Sequence, residues 1–301
     1  MTDNGSVLIF GGGEMGKGLA HLVAAHEPAL QVRVFDVDTR RSTCTAEELP
    51  AVISESRIIF IAVPSHMLEE AVSAVNEYRS TDQSVIALTK GMTRETDRFT
   101  GEVLREELGE NVAVLVGPML AEEVLHELPA YGLCAGSKDA FQQVRSVTTV
   151  EQLRLEYSAD IMGASVCGLL KNIYSIGFGI ADGLSLGNNF RGLLLTTAIA
   201  EMMSVVERFE GERATVLSAA GVGDLVATAS SMYSSNYAVG RELARNGSTD
   251  RQSEGRCSLR AFARRLSEDS TLVLYSSIKR VVLGEQSVDH FRDQLMRTVH
   301  V

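Results

Sequence analysis

The sequence is short of the features that mark secreted, membrane-bound or nucleic-acid-binding chains. Its four cysteines, Cys44, Cys134, Cys167 and Cys257, lie far apart and form no CxxC pair. That spacing offers neither a disulfide framework nor a zinc knot, and the thiols read as reduced groups of a cytoplasmic protein. The histidines show no ligand spacing either, so no metal is expected. Positive charge is scarce. The formal net charge is −11 at pH 7, so neither nucleic acid nor an anionic membrane is expected as a partner, although local lysines and backbone N–H groups can still hold a small anion. No stretch reaches the roughly 18 uninterrupted apolar residues of a membrane-spanning helix. The opening MTDNGSVLIF has no basic region and one short apolar run, and it does not read as a secretion signal. There is no internal repeat and no low-complexity tract.

What is present is the make-up of a soluble globular protein. The 301 residues are 45% hydrophobic and 22% charged, enough for two domains and a sizeable core. Val7 to Phe10 is a short apolar strand, followed by Gly11-Gly12-Gly13-Glu14-Met15-Gly16 and a helical pattern over Leu19 to Ala25. This is strand, glycine turn and helix with GxGxxG at Gly11, Gly13 and Gly16. Gly11 permits the tight turn, Gly13 lets the backbone approach a pyrophosphate, and Gly16 lets helix and strand pack closely. The helix start then presents N–H groups and its positive dipole end to the phosphates. The next strand, Gln31 to Phe35, ends at Asp36, about 20 residues beyond Gly16, where an acid would bind the ribose 2′-hydroxyl. Asp36 favours NAD as the cofactor, while Arg40 and Arg41 are near enough to keep NADP open. A glycine turn with no ligand is the bland alternative for the motif alone.

The alternation continues. Strands are predicted at Arg57 to Val63, Ser84 to Leu88, Val112 to Val116, Ala130 to Ala135 and Leu153 to Tyr157, with helices at Met67 to Val75 and Lys138 to Val144. The expected fold class is α/β, an N-terminal Rossmann-like, doubly wound, mostly parallel sheet. Ligands in such sheets bind beyond the carboxyl ends of the strands, and Gly11, Asp36, Pro64, Lys90 and Gly117 all occupy those ends. From Asp160 onward the strand signals stop. Helical periodicity recurs to the end of the chain, which predicts an all-helical C-terminal domain and a division into 1–160 and 161–301. Asn246 to Gly255 reads as a loop, either a plain connection or a flap over a ligand.

Gly163 to Arg191 reads as one long helix followed by a loop. Val166, Leu169, Leu170, Ile173, Ile176 and Ile180 form a core-facing stripe at helical spacing. Lys171 lies one residue beyond it among few charges. A poorly solvated ammonium is disfavoured, its pKa should fall, and an amine titrating nearer neutrality can give and take a proton. The alternative is a lysine that snorkels to water or pairs with a structural carboxylate. Asp224 follows a glycine turn and shares a helix face with Thr228, one turn on. It reads either as a cap or as the group that holds the Lys171 ammonium.

Taken together, GGGEMG, Val63-Pro64-Ser65-His66, Leu88-Thr89-Lys90-Gly91, Gly117-Pro118 with Ala121-Glu122-Glu123, Cys167-Gly168-Leu169-Leu170-Lys171-Asn172, Gly179 to Gly183, Gly187 to Arg191 and Gly221 to Thr228 resemble the soluble bacterial NAD(P)-dependent glycerol-3-phosphate dehydrogenases. The resemblance runs through most of the chain. It implies that Lys171 is the catalytic acid/base with Asp224 as its partner, and that Lys90 bridges cofactor and substrate. It implies a substrate site lined by Gly117, Asn172, Thr228 and Asn236, with Glu14, Met15, Ala121 and Glu254 touching the cofactor. Three departures stand against it. The family segment SRNRRFG, whose first arginine clamps the substrate phosphate, is here Ser234-Ser235-Asn236-Tyr237-Ala238-Val239-Gly240, with Ser235 in the arginine's place. The small hydroxyl residue after the family's Gly-Pro is Met119, and its ITRG is Leu195-Thr196-Thr197-Ala198.

The expected activity is therefore hydride transfer between a nicotinamide and a small ketone or alcohol. Glycerol 3-phosphate is expected to bind weakly or not to be the natural substrate, because a bidentate charge-assisted contact is missing. Two rivals are a β-hydroxyacid dehydrogenase type acting on a carboxylate and an NAD(H)-binding protein without turnover. A homodimer is expected from the apolar helical half.

Overall fold

The computed structural model describes residues 5–266 and 269–297; the first four residues of the opening segment and His300 lie outside them. The first part of the chain alternates strand and helix. In order come β1 Ser6–Phe10, α1 Glu14–His26, β2 Val32–Phe35, α2 Leu49–Glu55, β3 Ser56–Ile61, α3 Leu68–Tyr78, β4 Ser84–Ala87, α4 Thr100–Leu108, β5 Val112–Val116, α5 Ala121–Leu125, β6 Ala130–Gly136, α6 Lys138–Arg145 and β7 Leu153–Ser158. Helices follow: α7 Ile161–Gly183, α8 Gly187–Arg208, α9 Arg213–Val216, α10 Asp224–Ser230, α11 Ser235–Asn246, α12 Glu254–Arg265, α13 Val273–Val282 and α14 His290–Arg297. A π-helical turn, Ala219–Gly223, leads into α10.

The seven strands form one sheet in the order β2-β1-β3-β4-β5-β6-β7. All neighbours run parallel except β5 and β6, which are antiparallel. The strand order reverses at β1 and β3, which places the ligand crevice of a doubly wound sheet at their carboxyl ends. Both faces are covered, so the strands are apolar on both sides rather than alternating with polar residues. Val7, Ile9, Ile58 and Phe60 enter one core with α1 and α6. Leu8, Phe10, Ile59 and Ile61 enter the other, which continues through Val114 and Val116 into the helical half.

Helix α7 is the axis of that half. Asp160 caps its first turn by accepting from Gly163 N at 2.7 Å. Twenty of its 23 residues are buried, so it is enclosed on every side and not along one stripe as its spacing suggested. It is apolar enough to cross a membrane by composition, yet protein surrounds it. Its crossing with α11 is closed by two glycines. A Cβ on Gly179 would meet the Tyr237 carbonyl at 2.1 Å, and one on Gly240 the Ile176 carbonyl at 2.0 Å.

Two expected loops are corrected. Only residues 184–186 separate α7 from α8, because Gly187-Asn188-Asn189 opens α8 instead of continuing a loop. The stretch Asn246 to Gly255 ends early, since Ser253 caps α12 by accepting from Arg256 N and Gly255 is buried in its first turn.

Candidate active site

A cleft of about 440 Å³ opens where the carboxyl ends of β1, β3 and β4 face α7, α10 and α11. Gly13, Glu14 and Met15 line one side, with Val63, Pro64, Thr89 and Lys90 beside them; Lys171, Asn172, Thr228, Ser234, Ser235, Asn236 and Glu254 line the other. A larger hollow of about 830 Å³, lined by Arg79, Ser84 and Asn111, lies at the opposite ends of the strands, where doubly wound sheets do not bind ligands.

The nucleotide side follows from the glycine turn. Gly11 has φ +113°, and a Cβ there would lie 2.6 Å from the Ala62 carbonyl, so the turn admits only glycine. A Cβ on Gly16 would strike the Gly11 carbonyl at 1.8 Å, which keeps α1 tight against β1. Gly13 faces open space and has no side chain to cap α1. The first-turn N–H groups of α1 thus remain available to an anionic oxygen. These features fit a dinucleotide diphosphate. Asp36 sits just past β2 and accepts from Gly12 N at 2.7 Å and Asp38 N at 2.8 Å, which fixes its carboxylate beside the turn. Arg40 and Arg41 both pair with Asp38, at 2.8 and 3.4 Å.

On the other side a single carboxylate gathers two lysines. Lys90 Nζ donates to Asp224 Oδ2 at 2.8 Å and to the Gly117 carbonyl at 3.2 Å. Lys171 Nζ lies 3.2 Å from Asp224 Oδ1 and donates to Thr228 Oγ1 at 2.9 Å. Thr228 in turn donates to Asp224 at 3.2 Å. Gly117 has φ +156°, and a Cβ there would meet the Tyr131 carbonyl at 2.4 Å; glycine is what lets its own carbonyl turn toward Lys90. Burial pushes the Lys171 pKa down to about 8; the attraction of Asp224 limits the fall and the nearby Lys90 charge deepens it. Burial alone would raise the Asp224 pKa, but the two ammonium groups outweigh it and hold the carboxyl below its ordinary value.

Asn172 and Asn236 tie α7 to α11. Asn236 Nδ2 donates to Asn172 Oδ1 at 2.9 Å, and Asn236 Oδ1 accepts from Gly255 N at 2.9 Å. Gly255 has to be glycine here, since a Cβ would lie 2.6 Å from the Asn172 carbonyl. Next to it, Glu254 accepts from Ser65 and from Ser258 Oγ at 3.2 Å, and burial raises its pKa. Helix α12 thereby touches both sides of the cleft.

Not every expected site residue is there. Met119 does not line the cleft. It is buried on the other face of the sheet, its sulfur packed against β6 at Gly132, because the chain turns after Gly117 and directs that side chain into the nucleotide-side core. Ala121 starts α5 and does not line the cleft; Leu120, its neighbour, does. Thr197 and Ala198 are buried within α8. Conversely, the sequence reading passed over Tyr233, which lines the cleft while 67% exposed. Its one signal was an aromatic residue in an otherwise polar link, Ser230-Ser231-Met232-Tyr233-Ser234-Ser235. The sharing of one carboxylate by Lys90 and Lys171 has no signal in the sequence.

A doubly wound sheet with a glycine turn, facing a buried lysine on the core helix of a helical half, defines an NAD(P)-dependent dehydrogenase of the CH–OH type. Comparison with known proteins gives the family. Models of the N- and C-terminal parts of NAD-dependent glycerol-3-phosphate dehydrogenase match residues 36–142 and 160–292. Glycerol-3-phosphate dehydrogenase [NAD(P)+] of Clostridium acetobutylicum is 30% identical over 257 residues, covering 78% of this chain and 77% of its own. The enzyme of that name from Pseudomonas aeruginosa is 30% identical over 264 residues, covering 81% and 77%. The crystal structure of glycerol-3-phosphate dehydrogenase from Coxiella burnetii superposes with a TM-score of 0.86 at 26% identity, over 98% of this chain and all of that one. The Plasmodium falciparum enzyme shares the fold, with a TM-score of 0.83 at 16% identity over 99% and 96% of the two chains. The chain belongs to the NAD(P)-dependent glycerol-3-phosphate dehydrogenase family. Neither the β-hydroxyacid type nor a protein without turnover is favoured by these relatives.

Proposed function

We propose that this chain interconverts a small ketone or aldehyde and its alcohol, with Lys171 as general acid and base. The observation that carries the reading is the buried Lys171 amine, held by Asp224 and Thr228 in the same cleft as the open glycine turn. The first turn of α1 and Asp36 would hold NAD(H) or NADP(H), with Pro64 and Glu254 bordering it, and the bound cofactor would supply or accept the hydride. In the reducing direction negative charge grows on the carbonyl oxygen, and Lys171 gives it a proton, which solvent later replaces. Asp224 orients the ammonium through Oδ1 and keeps enough of it protonated near neutrality. Lys90, fixed by Asp224 and the Gly117 carbonyl, adds a second positive charge close to that oxygen. Asn172, Thr228 and Asn236 position the substrate.

Because the Lys171 pKa is about 8, the two directions should respond oppositely to pH. Reduction needs the ammonium and should fall as pH rises through that value; oxidation needs the free amine and should rise. Lys171→Ala should lower kcat by ~10²–10⁴-fold while cofactor affinity stays within a few fold. A variant that keeps more than about a tenth of wild-type kcat would remove proton transfer by Lys171 from the account.

The same reading places the nucleotide half at 1–160 and the substrate half at 161–301, and the protein in the cytoplasm as a homodimer. Exposed Leu217, Val226 and Met232 on the helical half support the dimer. A solution mass of one chain, about 32.5 kDa, would overturn it.

A further inference from the structure

Among the described residues, the side chains with positive charge that line the cleft are Lys90 and Lys171. Neither is free. Both are bound to Asp224, at 2.8 and 3.2 Å, and each has a further oxygen partner. Glu254 and Glu14 add two further carboxylates to the wall, Glu14 paired with Lys17 at 3.2 Å. The two ammonium groups of the cleft are therefore already matched by carboxylates before a substrate enters.

The side of the cleft formed by residues 233–236 carries no charged side chain. Ser234 Oγ is engaged by Tyr237 N at 3.2 Å, and the Asn236 amide is engaged by Asn172 and Gly255. What remains is the exposed Ser235 hydroxyl, the first-turn N–H groups of α11 other than that of Tyr237, and the ring of Tyr233. A helix start carries about half a positive charge, well short of the nearly two negative charges of a phosphate monoester. The field of a molecule with net charge −11 opposes a dianion further. A hydroxyl oxygen, by contrast, is well served by a serine and by backbone N–H groups.

We propose that the substrate is an uncharged hydroxylated ketone or aldehyde, without a phosphate ester, whose distal hydroxyl is bound by Ser235 and the start of α11. Tyr233 covers its carbon skeleton at the mouth. This inference rests on the hydride-transfer reading above and narrows its substrate. It makes Ser235 the residue that excludes phosphorylated compounds.

The test is steady-state oxidation of NADH and NADPH with dihydroxyacetone, glyceraldehyde and dihydroxyacetone phosphate, using the wild type, Ser235→Arg, Ser235→Gln and Lys171→Ala. Ser235 is exposed at the first position of α11, so both replacements fit without repacking. The wild type should show a higher kcat/KM with an uncharged carbonyl than with the phosphate. Ser235→Arg should raise kcat/KM for the phosphate by ~10-fold or more, mainly through KM, because it supplies a charge-assisted bidentate donor. Ser235→Gln, which adds length without charge, should not. A wild type that prefers the phosphate, or an arginine variant with no gain for it, overturns the inference; Lys171-dependent turnover in the same assays would leave the hydride-transfer reading standing. Absence of Lys171-dependent turnover with all three carbonyls overturns both.

Discussion

Two of the titratable groups that helix α7 buries, Lys171 and Tyr174, lie three residues apart, and the chain stabilises them in opposite ways. Lys171 faces the cleft and meets a carboxylate, Asp224, that also holds Lys90. Tyr174 faces the helical core and meets a different carboxylate, Glu201 of α8, which forms no ion pair among the described residues. Glu201 accepts from Tyr174 Oη at 3.0 Å and from the first-turn N–H groups of α13, Leu274 at 2.7 Å and Tyr275 at 2.9 Å. It is a helix cap delivered from another helix, satisfying donors that α13 cannot satisfy itself. Charge pairing holds Asp224 below its ordinary pKa, whereas burial pushes Glu201 up to about 7 despite its three donors. Opposite charges keep a buried group ionised for chemistry; hydrogen-bond donors alone keep it in place and leave its charge dependent on pH.

Breaking the charged cluster should have the largest effect on folding. Asp224→Asn keeps the shape but removes the carboxylate that both Lys90 and Lys171 are bound to. Removing one partner of a buried pair costs about 3–5 kcal/mol. The lysines can relieve part of that by losing protons. A lysine whose folded pKa is depressed binds fewer protons folded than unfolded, so stability rises with pH between its folded pKa and its ordinary 10.5. Urea unfolding at pH 6 and pH 9 should show a smaller deficit at the higher pH. An equal deficit at both would mean that lost packing, not unpaired charge, is what the substitution reveals.

The two clusters also differ in how far they could be read from the chain. Lys171 and Asp224 were legible because a lone lysine in an apolar helix and an acid after a glycine turn are both unusual in local terms. The sharing of Asp224 by Lys90 was not, since 134 residues separate them and only the packing of α10 against the β4 end brings them together. Glu201 was invisible for the same reason: within α8 it reads as one more polar position, and its partners on α13 lie more than 70 residues away. The strands of the sheet were readable almost to the residue because short apolar runs are bounded by polar, glycine or proline residues. Their order, the antiparallel β6 and the short helices α2 and α4 depend on tertiary packing. Met119 was misplaced because spacing after Gly117-Pro118 says nothing of which sheet face the next side chain enters. Gly187-Asn188-Asn189 carries turn formers, yet packing of the rest of α8 against α7 carries the helix through them.

The smaller effect is expected at Glu201, and it sharpens the contrast through pH. A carboxyl whose folded pKa lies near 7, above the ordinary 4.5, binds its proton more tightly folded than unfolded. Its contribution is therefore greatest at low pH and is lost as pH rises from about 4.5 through about 7. Full ionisation removes on the order of 3 kcal/mol by this route. Glu201→Gln cannot ionise, and its amide retains one oxygen for the N–H groups of α13. Urea midpoints measured from pH 4.5 to 8 should fall less steeply in the variant than in the wild type, while its kcat and the pH dependence set by Lys171 stay unchanged. Parallel stability profiles would show that Glu201 keeps an ordinary pKa, its three donors offsetting burial after all. The two carboxylates on either side of α7 would then differ in partner but not in the charge they carry.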